Sequence, residues 1–107
     1  MTLDEHGIQS QGIAEIRARG GVVIRVNAGG TLTKRGGHIR LADEGCSDTV
    51  TCLYGRFIAI EFKKPGKVAT AKQMEFGQRV VGAGGIFLVI DDLDTLTREL
   101  DRIGGER

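Results

Sequence analysis

The spacing of apolar residues along the first part of the chain predicts a helix followed by a strand. Residues 4–19 carry isoleucines at partly helical spacing, and the Gly20-Gly21 pair marks the end of that helix. Residues 22–26 are mostly β-branched and predict a short strand. The polar, glycine-rich residues 27–37 predict a loop, and residues 38–41 predict a further extended stretch.

The middle of the chain predicts a β-hairpin. Residues 48–53 and 56–64 both have the composition of strands, and Tyr54-Gly55 between them suits a two-residue turn. Pro65-Gly66 then ends the second strand. We therefore expect two antiparallel strands side by side.

The last third of the chain predicts a helix, a strand and a second helix. Thr70 and Gln73 have the spacing of a capping box at the start of a helix over residues 71–81. Residues 86–90 are a continuous apolar run, as expected for a strand covered on both faces. Asp91 or Asp92 would cap the last helix. The expected buried positions of the two helices are Phe76, Val80 and Met74 in the first, and Leu93, Leu96, Leu100 and Ile103 in the second.

The order of these elements predicts one α/β domain. It runs α-β-(β)-β-β-α-β-α, which favours a mixed central sheet flanked by helices, and the 107 residues argue for a single domain over residues 1–107. Hydrophobic residues make up 40% of the chain but aromatic residues only 5%, so the core should be mainly aliphatic.

Cysteine usage and hydropathy indicate a cytoplasmic protein. Cys46 and Cys52 show neither a CxxC motif nor zinc-ligand spacing, and free thiols are typical of a reducing compartment. The chain begins without the apolar segment of a signal peptide, and no apolar run reaches the length of a membrane span. We expect no membrane partner.

Charge is segregated along the chain although the net charge is only +1. Between Ile16 and Ala42 there are six basic residues and no acidic one. Such a stretch predicts either contacts to phosphates or ordinary solvated charge, and the sequence leaves both open. The six residues are Arg17, Arg19, Arg25, Lys34, Arg35 and Arg40.

The register of the predicted hairpin brings two carboxylates together. If Leu53 faces Arg56, then Asp48 faces Glu61, with Cβ atoms about 4.5–5.5 Å apart. Opposed like charges are destabilising unless a cation lies between them, and two hard oxygen donors suit Mg²⁺ or Mn²⁺. Lys63 shares a face with Glu61 and would bring an ammonium to the metal. The alternative is that these residues form structural ion pairs or are solvated at the end of a strand.

The spacing of this site resembles the PD-(D/E)XK nuclease signature. Twelve residues separate Asp48 from Glu61-Phe62-Lys63, and the order of elements resembles the restriction-endonuclease-like core of that superfamily. Over nearly the full chain the arrangement resembles the VRR-NUC (virus-type replication-repair nuclease) family in its small stand-alone phage form. The further residues that carry this resemblance are Gly45, Pro65-Gly66, Gln73, Gly84-Gly85 and the stretch Arg25-Val26-Asn27-Ala28-Gly29.

The resemblance implies a metal-dependent DNA nuclease that forms a homodimer and cuts branched DNA, such as a Holliday junction. A phage-encoded protein of this kind would act in the host cytoplasm. Two alternatives remain open at this point. One is a flap, nicking or single-strand nuclease in phage replication or packaging. The other is a nucleic-acid-binding module that does not cut.

The resemblance also implies roles for individual residues. Asp48 and Glu61 would hold Mg²⁺ or Mn²⁺, with the backbone carbonyl of Phe62 as a third oxygen ligand. Lys63 would orient or deprotonate the attacking water, and Gln73 would line the site. The family also places an acidic residue in the first helix, for which Glu5 is the first choice and Glu15 the second.

Some of these residues have structural alternatives. The capping box alone could explain Gln73, and Glu5 could be only a favourable acid in the first turn of a helix. His38 is more typical of a loop or strand edge than of a catalyst. The expected DNA-binding residues are Arg25, Asn27, Lys34, Arg35, Arg40, Lys64, Lys67 and Lys72.

Overall fold

The computed structural model describes residues 3–26, 31–32, 38–39 and 45–106 of the chain. Its helices are α1 (Glu5–Ala18), α2 (Ala71–Gly82) and α3 (Leu93–Gly105). Its strands are β1 (Val22–Arg25), β2 (Thr31–Leu32), β3 (His38–Ile39), β4 (Thr49–Leu53), β5 (Arg56–Phe62) and β6 (Ile86–Ile90). The predicted α/β class is confirmed.

Four strands form the mixed sheet in the order β1-β4-β5-β6. The β1–β4 and β4–β5 pairs are antiparallel, and β6 lies parallel to β5. The predicted hairpin register is confirmed, with Leu53 opposite Arg56. Tyr54 and Gly55 between them have φ angles of 55° and 72°, the positive values that a two-residue type I′ turn requires. Strands β2 and β3 pair separately with each other.

One face of the sheet forms the core together with α1 and α3. Because side chains alternate along a strand, Ile58, Ile60 and Phe62 of β5 all point to this face, and all are buried. A Cβ added to Gly12 of α1 would lie 2.6 Å from the Phe62 ring, so the glycine allows the helix to approach β5 closely. The helical contributors are Ile8, Ile13 and Ile16 from α1 and Leu96, Leu100 and Ile103 from α3.

On the opposite face α2 packs against the edge strand β6, while Val22, Ile24 and Phe57 are 64%, 58% and 50% exposed. A Cβ on Gly77 would collide with the Phe87 ring, so this glycine is the point of closest approach. The predicted burial of α2 is therefore only partly correct. Phe76 and Val80 are half-buried, and Met74 is 46% exposed. Strand β6 is likewise fully buried only on the α3 side, because it lies at the edge of the sheet.

The boundaries of several elements differ slightly from the predicted ones. Helix α1 begins at Glu5 because the Asp4 side chain caps it, accepting a 2.8 Å hydrogen bond from the Gly7 N–H. The first strand and the second hairpin strand end at Arg25 and Phe62. Within the described residues, no helix is long and apolar enough to cross a membrane.

Candidate functional site

The two carboxylates meet where β4 begins and β5 ends. The antiparallel register runs back from the turn to the Thr49–Ile60 pair, so Asp48 and Glu61 occupy the next opposed position. The Asp48 N–H donates to Glu61 Oε2 at 2.9 Å, and the Phe62 N–H donates to Asp48 Oδ2 at 3.1 Å. Each carboxylate is thus held by a backbone N–H at the other strand, and the predicted juxtaposition is confirmed.

Glu61 is the least solvated charged group of this cluster, with only 3% of the residue exposed. Burial and, after it, the negative charge of Asp48 raise the pKa of Glu61 to about 7. The Asp48 N–H and the Lys63 ammonium act in the opposite direction but do not cancel the effect. Burial and the nearby Asp48 thus disfavour the charged form of Glu61 more than Lys63 favours it.

Lys63 lies on the same face as Glu61, as the alternation of the strand predicts. Its Nζ is 3.7 Å from Glu61 Oε1, and its side chain is 14% exposed. The Lys63 N–H donates to the Ile90 carbonyl at 2.8 Å, which continues the β5–β6 pairing one residue beyond β5. Lys63 is therefore held beside the carboxylate by the sheet, and it is not a freely solvated lysine at a strand end.

Gln73 serves both roles that the sequence left open. The Thr70 hydroxyl accepts from the Gln73 N–H at 3.2 Å, and the Thr70 N–H donates to Gln73 Oε1 at 2.8 Å, which completes the capping box. The other end of the same amide, Nε2, donates to Glu61 Oε1 at 2.8 Å. The first turn of α2 therefore contacts the carboxylate cluster directly.

The donor atoms of this cluster fit a hard divalent cation. Mg²⁺ is usually held by one or two carboxylates and completes its shell with water and substrate phosphate oxygens. Asp48 and Glu61 supply two such carboxylates, and the negative charge of Asp48, which adds to burial in raising the Glu61 pKa, would favour a bound cation. Across the described ranges, no group of three or more His, Cys, Asp or Glu side chains is placed to hold a metal. Further ligands would thus be the Phe62 carbonyl, water or substrate.

Among the described residues, no acidic residue of α1 joins Asp48 and Glu61 in a group of three that could hold a metal. Glu5 is exposed in the first turn of α1, next to the capping residue Asp4. Glu15 forms a 2.8 Å ion pair with Arg19 instead. The contribution of Glu5 to metal binding stays a prediction.

Four of the expected DNA-binding residues are exposed and lie in segments next to the carboxylates. Arg25 is paired with Thr49, the residue after Asp48. Lys64 and Lys67 belong to the turn that follows Lys63, and Lys72 is in the first turn of α2. The other four, Asn27, Lys34, Arg35 and Arg40, lie outside the described residues.

Gly45 has a positional role that the sequence analysis did not assign. Its φ is 82°, and a Cβ added there would collide with the carbonyl of Lys72. The chain leading into Asp48 therefore lies directly against the first turn of α2. A glycine three residues before Asp48 is the only sequence signal for this contact, and glycines at turns are too common to make it specific.

Comparisons of the chain with protein-family models, with curated proteins and with solved structures found no match. The α/β class and the geometry of the cluster are properties of this chain's own structure. The resemblance to the VRR-NUC family stays a prediction.

Proposed function

We propose that this chain is a metal-dependent, structure-selective endodeoxyribonuclease with a PD-(D/E)XK core of the VRR-NUC type, and that it hydrolyses phosphodiester bonds in Holliday junctions. One observation carries the proposal. Asp48 and Glu61 are held side by side, with Glu61 accepting from the Asp48 N–H and Asp48 from the Phe62 N–H, and the Lys63 ammonium is 3.7 Å from Glu61. Two opposed carboxylates, one of them buried, lower the stability of the fold, and such a loss is typical of functional sites.

Each residue of the cluster has a distinct task in this proposal. Asp48 and Glu61 bind Mg²⁺ or Mn²⁺, which when bound polarises a phosphoryl oxygen and lowers the pKa of a water ligand. Lys63 donates hydrogen bonds to the attacking water or to a phosphate oxygen, and its positive charge stabilises negative charge that develops on the phosphate. Gln73 keeps the Glu61 carboxylate in place through its Nε2.

The exposed basic residues would bind the DNA backbone. Arg25, Lys64, Lys67 and Lys72 can contact phosphates, which contributes affinity without sequence specificity. One domain of this size offers one cluster, whereas symmetric cutting of a four-way junction needs two. A C₂ homodimer is the simplest assembly that supplies both.

The decisive experiment is cleavage of end-labelled four-way junction, 5′ flap, linear duplex and single-stranded DNA. Wild type and Asp48→Asn are each tested with Mn²⁺, with Mg²⁺ and with EDTA. Asp94→Asn, which changes an exposed carboxylate in the first turn of α3, is the matched control. We expect paired, symmetric cuts in the junction that require metal and Asp48 and that survive the control substitution.

Other outcomes would change the proposal in specific ways. Preferred cutting of flaps or single strands would retain the chemistry and change the substrate. Binding of DNA without any metal-dependent cutting would favour a non-catalytic binding module. Cleavage that persists in Asp48→Asn would show that the carboxylate pair is not the catalytic centre.

A further inference from the structure

The amide of Gln73 joins the cap of α2 to the carboxylate cluster. Its oxygen accepts from the Thr70 N–H at 2.8 Å, while its nitrogen donates to Glu61 Oε1 at 2.8 Å. The Thr70 hydroxyl in turn accepts from the Gln73 N–H at 3.2 Å and fixes the backbone of the same turn. Two successive hydrogen bonds therefore run from the Thr70 N–H through the Gln73 amide to Glu61, and a third holds the Gln73 backbone at Thr70.

The Thr70 N–H determines which way this amide points. A backbone N–H can only donate, so the end of the Gln73 amide that faces it has to be the oxygen. The nitrogen then has to face Glu61. With the amide rotated by half a turn, two donors would meet at Thr70 and two acceptors at Glu61, and both hydrogen bonds would be lost.

A second contact keeps this turn in place. The backbone of Gly45 lies against the Lys72 carbonyl so closely that even a methyl group would not fit. Lys72 immediately precedes Gln73, and Gly45 lies three residues before Asp48. The first turn of α2 is thus packed against the entrance of β4 as well as bonded to Glu61 in β5.

We propose that Thr70 is a positioning residue for the candidate active site, and that it acts on Glu61 through the Gln73 amide. Thr70 itself touches neither carboxylate in any hydrogen bond of the described structure. The proposal rests on the proposed function in so far as Glu61 binds a divalent cation. Outer residues that orient a metal ligand typically change metal affinity or activity by about 10- to 100-fold when they are replaced.

Three substitutions of Thr70 differ in which of its hydrogen-bonding groups they keep. Thr70→Ser retains both the hydroxyl and the N–H. Thr70→Ala removes the hydroxyl, and Thr70→Pro also removes the N–H that orients the amide. Proline is compatible with the φ of −73° at this position, so its ring fits the backbone. Asp92→Ala is the matched control, because Asp92 caps α3 with the same type of side-chain bond to Thr95 N–H, at a different helix.

The first readout needs no activity. In the metal-free protein we expect the side-chain NH₂ resonances of Gln73 to match wild type in Thr70→Ser, to shift in Thr70→Ala and to shift most in Thr70→Pro. Mn²⁺ affinity measured by calorimetry should fall in the same order, by about 10- to 100-fold in Thr70→Pro. Asp92→Ala should lose thermal stability as Thr70→Ala does, with the Gln73 resonances and Mn²⁺ affinity unchanged.

Unshifted Gln73 resonances and wild-type Mn²⁺ affinity in folded Thr70→Pro would overturn the proposal. The same would follow if Asp92→Ala weakened Mn²⁺ binding equally, since the effect would then be general destabilisation. Cleavage assays separate this result from the proposed function. If wild type binds Mn²⁺ but cuts no DNA, the nuclease proposal fails while the role of Thr70 stands. If wild type cuts, kcat should fall in Thr70→Pro with little change in KM for DNA.

Discussion

The two ends of the β4–β5 hairpin differ in how their charged side chains are paired. At the turn, Arg19 donates to Glu15 at 2.8 Å and to Asp101 at 2.9 Å, and it reaches the Tyr54 hydroxyl at 3.4 Å. Burial alone would lower the pKa of Arg19, but these partners outweigh it and raise the pKa. At the open end, Asp48 and Glu61 face each other, and the pKa of Glu61 rises to about 7.

This difference separates a structural charge cluster from the candidate functional one. At the turn, opposite charges tie α1, α3 and the hairpin together, and each charge has a partner that stabilises it. At the open end, like charges are brought together by the sheet itself, with one lysine at 3.7 Å. This arrangement lowers the stability of the folded state, and a bound divalent cation would restore it.

The largest expected effect is on catalysis. Asp48→Asn keeps an oxygen that can accept from the Phe62 N–H but removes one negative charge from the cluster. Because metal-assisted charge stabilisation contributes several kcal/mol to such reactions, we expect junction cleavage to fall more than about 1000-fold. Single-turnover assays with saturating Mn²⁺ measure this. A loss of less than tenfold would contradict the assignment of Asp48.

The second effect is a pH dependence of stability. The pKa of Glu61 is about 7 in the folded protein and 4.5 in the reference state, so the folded state binds this proton more tightly. This contribution is therefore favourable at low pH and is lost as pH rises through 7. Between pH 5.5 and 8 we expect the free energy of unfolding to fall by about 2 kcal/mol. Urea unfolding without metal measures it, and Glu61→Gln should show a much flatter pH profile.

The third effect concerns the turn end of the hairpin. Arg19→Gln removes the cation that joins Glu15 and Asp101, and we expect a loss of about 1–2 kcal/mol of stability. Cleavage activity at a temperature where the variant is folded should stay within about twofold of wild type. Loss of activity together with an intact fold would mean that the two ends of the hairpin are coupled. It would contradict the view that the charge cluster at the turn is purely structural.

The smallest effect is a gain in stability. Asp48→Asn removes repulsion between opposed like charges, which should stabilise the metal-free protein by up to about 1 kcal/mol at pH 8. The same substitution should abolish stabilisation of the fold by Mg²⁺. Thermal unfolding with and without Mg²⁺ measures both. Equal Mg²⁺ stabilisation of wild type and Asp48→Asn would show that the ion binds elsewhere.

The parts of the site that could be predicted are those fixed by local rules. The two-residue turn at Tyr54-Gly55 sets the hairpin register, and the register brings Asp48 and Glu61 together. Alternation along β5 then puts Lys63 beside Glu61, and the spacing of Thr70 and Gln73 identifies the start of α2. Each of these inferences needs only residues that are close in sequence or paired across one turn.

The remaining parts depend on contacts between distant segments. The apolar pattern of α2 predicts more burial than the structure has, because Gly77, and not a large side chain, makes the closest approach to β6. The Arg19–Asp101 ion pair joins α1 to α3, and no local pattern relates these two residues. Whether Gln73 only caps its helix or also reaches the carboxylates depends on where the first turn of α2 lies relative to the hairpin.

The sequence by itself thus determined the α/β class, the hairpin register and the meeting of two carboxylates with a lysine, since turn geometry and strand periodicity act over short distances. Only the tertiary structure decided the environment of that cluster. The contact of Gly45 with Lys72 and the hydrogen bond from Gln73 arise because the first turn of α2 lies beside Asp48 and Glu61, and burial in the folded chain raises the Glu61 pKa. Solvation and charge depend on every element that surrounds a group, and these elements come from distant parts of the chain.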